Sequence, residues 1–226
     1  MCRTIPSVTP SRVFSATGLA LVAVFVGIIA ALGLVPGIVI PGVAVPITLQ
    51  TLGVMLAGSV LGRWRGTAAV LVFLLLVALG LPLLAGGRGG LGVFFTPSAG
   101  FLIGFPFAAF VIGWLTERYS AASSLGKLIA INVLGGIVVL YMFGIVGMSI
   151  IGQLSLAAAA AISVVFVPGD LAKAVVAAFV ARGVHQALPG LLPERPARGL
   201  QSAPSPRSDS AEPDPAVPNS ALSNPE

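Results

Sequence analysis

The sequence predicts an all-α integral membrane protein, a bundle of six transmembrane helices, from three observations. Of its 226 residues, 57% are hydrophobic and only 8% charged, with a mean hydropathy of +1.05, outside the range of water-soluble globular chains. Several apolar runs approach or exceed the about 20 residues that cross a ~30 Å hydrocarbon layer. The runs are continuous, whereas a membrane barrel alternates polar and apolar positions, so the spans are helices.

In chain order the apolar stretches run from Val13 to Val35, Ile47 to Leu61, Thr67 to Leu84, Ser98 to Leu115, Leu128 to Gly147, and Pro168 to Leu188. The segment from Leu154 to Val167 is also apolar but short for a span, and reads as an interfacial or half-inserted piece leading into the sixth helix. Three regions follow: a cytoplasmic segment 1–12, a membrane domain 13–188, and a tail 189–226. The tail turns abruptly to Pro, Ser, Ala and scattered charge, a composition that buries no core and predicts disorder.

Basic residues set the orientation, because positive loops stay cytoplasmic. With the N-terminus inside, Arg3, Arg12, Arg63, Arg65, Arg118, Lys127, Arg182, Arg195, Arg198 and Arg207 all fall on the inner side, ten of the twelve Lys and Arg. Both termini are therefore expected in the cytoplasm of a bacterial cell. The two exceptions are Arg88, in the loop after the third helix, and Lys173, inside the sixth apolar run.

The first run is too long for a signal-peptide core, and its ladder of Ala16, Ala20, Ala23, Gly27 and Ala31 suits helix packing. Cys2 is the only cysteine, so there is no disulfide framework, and no metal site is expected. The chain contains no P-loop, dinucleotide fingerprint, zinc motif or nucleophile elbow. It does not itself hydrolyse ATP, and neither enzymatic activity, a cofactor nor a nucleic-acid partner is expected.

Ionisable groups at membrane depth cost several kcal/mol, so each needs a partner or a purpose. Asp170 and Lys173 lie three apart in Pro168-Gly169-Asp170-Leu171-Ala172-Lys173, on one face of a helix whose first turn Pro168 suits. One reading is a self-neutralising ion pair. The other starts from the helix dipole, which favours Asp170 there but opposes Lys173. An anionic ligand would relieve that mismatch. Lys173, the helix terminus and a nearby arginine would then hold a carboxylate, and Asp170 would accept from ligand N–H groups.

A second constellation is the outer loop Gly80-Leu81-Pro82-Leu83-Leu84-Ala85-Gly86-Gly87-Arg88-Gly89-Gly90-Leu91-Gly92, followed by Thr96-Pro97-Ser98-Ala99-Gly100. Its glycines let backbone approach a ligand closely, or make a flexible connector; Arg88, a lone outer cation, favours a site. Thr48, Gln50, Thr51, Asn132 and Gln153 read as interhelical glue or ligand contacts. Trp64, Trp114 and Tyr119 fit interfacial anchors, and His185 a solvated side chain near the inner end.

Four separated blocks resemble the BioY family: Val45-Pro46-Ile47-Thr48-Leu49-Gln50-Thr51-Leu52; Gly80-Leu81-Pro82 with the glycine loop; Thr96-Pro97-Ser98-Ala99-Gly100-Phe101-Leu102-Ile103-Gly104-Phe105; and Pro168 to Lys173. The resemblance covers residues 13 to 188. It implies a biotin-specific substrate-binding subunit, or S component, of an energy-coupling factor transporter. The implied partners are biotin, a membrane coupling protein, two cytoplasmic ATPases and the bilayer, with tipping of the loaded subunit delivering the vitamin.

The resemblance also implies a biotin pocket at Asp170, Lys173, Arg88, Gly86, Gly87 and Gly89, and more weakly at Thr48 and Gln50. The 96–100 block departs from the commoner Gly-Pro-Thr-Gly-Gly turn of the family. The ladder of the first helix resembles the surface that docks on the coupling protein, and internal packing is the alternative reading. Rival classes are an independent secondary transporter, an S component for another small vitamin, and a membrane-embedded enzyme or assembly factor. No internal repeat marks the first.

Overall fold

In the computed structural model of the chain, the described residues are 15–39, 45–119, 124–189 and 191–192. They form α1 (Ala16–Leu34), α2 (Gln50–Ala78), a 3-10 turn (Leu91–Phe95), α3 (Ala99–Arg118), α4 (Leu125–Val133), a π-helical turn (Leu134–Val139), α5 (Leu140–Ile151), α6 (Leu156–Val164) and α7 (Val167–Ala187). The segment 1–12 and the tail beyond residue 192 lie outside them.

α2 is two rods. Gly62 has φ 80°, and the helix reverses there. A straight helix of that length would separate its ends by roughly 40 Å. Instead Gln50, which opens α2, donates from Nε2 to Leu83 O, just past its end, at 3.1 Å. Glu117 secures the reversal: its carboxylate accepts from the Arg63 backbone N–H at 2.9 Å and pairs with the Arg63 guanidinium at 3.3 Å. With this hairpin, and α4 running through the π turn into α5, the described residues make the six predicted rods. α6 and α7 form a pair bent by 56°, as expected for a short segment leading into the last helix.

The second arm ends earlier than its hydropathy predicts. Leu81 N–H bonds back to Leu76 O and Gly80 N–H to Val77 O, with Gly80 at φ 102°, a glycine-terminated helix end. Residues 79–84 belong to the loop.

Small residues bring the rods close. Cβ atoms on Gly100 or Gly147 would each strike the other's backbone, where α3 crosses α5. Ala174, Ala177, Ala178 and Ala181 are fully buried along α7. By contrast, Ala16, Ala20, Ala23, Gly27 and Ala31 are exposed, and α1 buries Val22, Phe25, Val26 and Ile29 instead. The ladder is therefore not internal packing of the bundle.

Polar glue is confirmed for Asn132, whose Oδ1 accepts from Ser59 Oγ at 2.9 Å. Gln153 is a correction: it is an exposed turn residue at φ 53°. His185 is another, half-buried with Nε2 2.9 Å from Ser59 O. Arg63, Arg65, Arg118, Lys127 and Arg182 all sit at the end of the bundle that holds the Gly62 turn, and Arg88 and Lys173 at the opposite end.

Candidate substrate-binding site

The start of α7 meets the start of α2 at the end of the bundle opposite Gly62. Pro168 occupies the first turn of α7, where no intrahelical N–H is lost, and Asp170 follows in that turn. Asp170 and Lys173 are buried, with side-chain exposures of 6% and 9%. Their ion pair measures 2.8 Å between Lys173 Nζ and Asp170 Oδ1. Mutual neutralisation lowers the large cost of burying either charge alone.

The pair reaches across to α2. Lys173 Nζ also donates to Thr48 O at 2.6 Å and to Thr51 Oγ1 at 3.1 Å. All three ammonium protons thus have protein acceptors. Thr51 Oγ1 donates to Asp170 Oδ1 at 3.2 Å, and Tyr141 OH donates to Asp170 Oδ2 at 2.6 Å. The carboxylate has three donors from three elements and keeps about one further acceptor position.

An open cleft, about 570 Å³ when the solvent-filled space at its mouth is included, lies over this network. Thr48, Gln50, Thr51, Arg88, Ser98, Asp170 and Lys173 supply its polar groups. Phe101, Leu102 and Phe105 of α3, with Phe166 and Leu84, make much of the apolar wall. Phe101 stands edge-on to both Phe166 and Tyr141, at 6.2 and 6.0 Å between ring centres.

Arg88 enters from the glycine loop. Leu84 and Arg88 exchange backbone hydrogen bonds across a tight turn, with Gly86 and Gly87 at φ 78° and 70°. Arg88 Nε donates to Ala85 O at 3.3 Å. Neither terminal guanidinium nitrogen is bonded to a described residue, so the group offers its paired donors to the cleft.

Of the residues singled out from sequence, Asp170, Lys173, Arg88, Gln50 and Thr48 converge on the cleft, and Gly86, Gly87 and Gly89 do not line it. Gly86 and Gly87 have open space where a Cβ would stand, so positive φ explains them. A Cβ on Gly89 would strike Leu81 O, so its smallness closes the loop on itself. In the 96–100 block, Thr96 Oγ1 donates to Val93 O at 2.7 Å and closes the 3-10 turn, Ser98 lines the cleft, and Gly100 makes the crossing of α3 with α5. Tyr141 was not singled out from sequence; a phenol inside an apolar run, needing a partner when buried, was the available signal.

The BioY family profile matches residues 7–190. "Biotin transporter BioY" of Rhizobium etli is 50% identical over 186 residues, covering 80% of this chain and 99% of that protein. The protein of the same description from Rhodobacter capsulatus is also 50% identical, covering 76% and 95%. A crystal structure described as the S-component for biotin from an ECF-type ABC transporter superposes with a TM-score of 0.71 at 35% identity, over 74% of this chain and 90% of that one. The chain belongs to the BioY family.

Proposed function

We propose that the cleft binds biotin with its ureido ring on Asp170 and its valerate carboxylate on Arg88. The protein serves biotin uptake, the function its family membership and its likeness to a biotin S-component support. One observation carries the orientation. Lys173 has every N–H engaged by protein oxygens, whereas Arg88 keeps both terminal nitrogens for a ligand. A guanidinium fork matches a carboxylate in two parallel hydrogen bonds. Asp170, with an acceptor position left, matches a ring that offers two N–H donors. The sequence points to Lys173, the helix terminus and a nearby arginine together for the carboxylate; this reading assigns it to Arg88 alone.

In this reading the chain is the substrate-capturing subunit, taking biotin from outside and working with a membrane coupling protein and two ATPases. The exposed small-residue face of α1 is the surface available for the coupling protein. The end carrying Arg63, Arg65, Arg118, Lys127 and Arg182 faces the cytoplasm by the positive-inside rule, with both termini on that side. Equilibrium binding of radiolabelled biotin to the purified chain, with biotin amide as competitor, tests the site. Biotin should bind and the amide should compete poorly; equal competition removes the carboxylate from the recognition scheme.

A further inference from the structure

We infer that Tyr141 is a positioning residue that sets ureido selectivity through Asp170, without touching the ligand. The inference rests on the proposed contact between Asp170 and the ureido ring. Tyr141 does not line the cleft; it sits behind Asp170, buried, and its OH reaches Oδ2 at 2.6 Å, the shortest bond the carboxylate receives. Lys173 and Thr51 both bind Oδ1, so Tyr141 alone holds the other oxygen. Without it the carboxylate keeps its charge partner but loses the second anchor that fixes its plane.

Several features of the fold bring this phenol into place. The π turn at Leu134–Val139 inserts a residue into the rod two positions before Tyr141. In an unbroken α-helix, Tyr141 would lie nine residues from the inward-facing Asn132, roughly 180° around the axis. One extra residue brings that offset to about 80°, and the buried positions continue as Leu140, Tyr141, Gly144 and Met148. Phe101 then braces the ring edge-on, lying in a niche that a Cβ on Gly144 would fill. That much packing around a single hydroxyl determines direction as well as burial.

The test is Tyr141→Phe, which removes the donor and leaves the ring. Biotin affinity should fall about tenfold, the range for one charged hydrogen bond. Selectivity for biotin over a biotin methylated on a ureido nitrogen should shrink by a similar factor, while selectivity for biotin over biotin amide stays as in the parent. Added to Asp170→Asn, the Tyr141 change should cost less than it does alone. Equal losses for biotin and its N-methyl analogue, or additive losses in the double variant, would mean that Tyr141 only supports the bundle.

An Asp170→Asn variant that keeps parental ureido selectivity would overturn the Asp170 contact itself, and the inference with it. Selectivity lost in Asp170→Asn but kept in Tyr141→Phe would overturn the role of Tyr141 alone. Tyr119 and Tyr141 are the two tyrosines of the chain, so 3-fluorotyrosine labelling gives a readout in the otherwise unaltered protein. Biotin should move the Tyr141 fluorine resonance and leave that of exposed Tyr119 in place. A Tyr141 line unmoved by saturating biotin would contradict the inference.

Discussion

Lys173 Nζ donates to the carbonyl of Thr48 at 2.6 Å, tying the second turn of α7 to the segment that enters α2. The same ammonium neutralises Asp170 at 2.8 Å. One side chain therefore both closes the cleft wall and sets its charge.

Removing that ammonium alone should be worse for the fold than removing the pair. Lys173→Met leaves a buried carboxylate without its cation, at a cost of about 3–5 kcal/mol, whereas Lys173→Met with Asp170→Leu should melt near the parent. Neither variant should bind biotin. Thermal melting in detergent and equilibrium binding measure both quantities, and a double variant that binds like the parent would refute the site.

Arg88→Gln should weaken biotin by roughly ten- to a hundredfold, the worth of about 1.5–3 kcal/mol in charged hydrogen bonds. Biotin amide should bind parent and variant nearly alike. If Lys173→Met rather than Arg88→Gln erases the distinction between acid and amide, the ligand lies the other way round.

Gly62→Ala should destabilise without touching the ligand. At φ 80° and ψ −177°, a conformation open essentially to glycine alone, a side chain costs about 1–3 kcal/mol, and its Cβ would strike the Glu117 carboxylate that caps the turn. The melting temperature should fall while biotin affinity stays nearly unchanged, since the turn and the cleft lie at opposite ends of the bundle. A fall in affinity at unchanged stability would reveal coupling between the ends.

Reporter fusions after residues 125 and 200 should both signal from the cytoplasm, given the basic residues at that end. An outward signal from either would break the six-rod topology.

Truncation after residue 192 should leave biotin binding unchanged, because the composition beyond it cannot build a packed structure. The cut falls after Leu191, whose carbonyl accepts from Arg65, so that contact is kept. Lost binding in a truncated chain that still inserts would assign the tail a role.

Composition and local pattern alone specify the solvent, the helical class, the number of rods and the ion pair of the candidate site. These depend on local quantities: run length, hydropathy and the high cost of an ion in hydrocarbon. Asp170 and Lys173 were legible because three-residue spacing puts them on one face whatever surrounds them. Tertiary structure decided what those charges can still do. Only contacts between residues more than a hundred positions apart engage Lys173 with Thr48 and Thr51, leaving Arg88 as the cation lining the cleft with donors to spare.

Tyr141 was hidden for a related reason. Its inward direction depends on one residue inserted by the π turn, where Gly135 and Gly136 give way to Ile112 and Met55 of neighbouring helices. A helical period extrapolated along the sequence carries no sign of that insertion, because packing against other rods produces it.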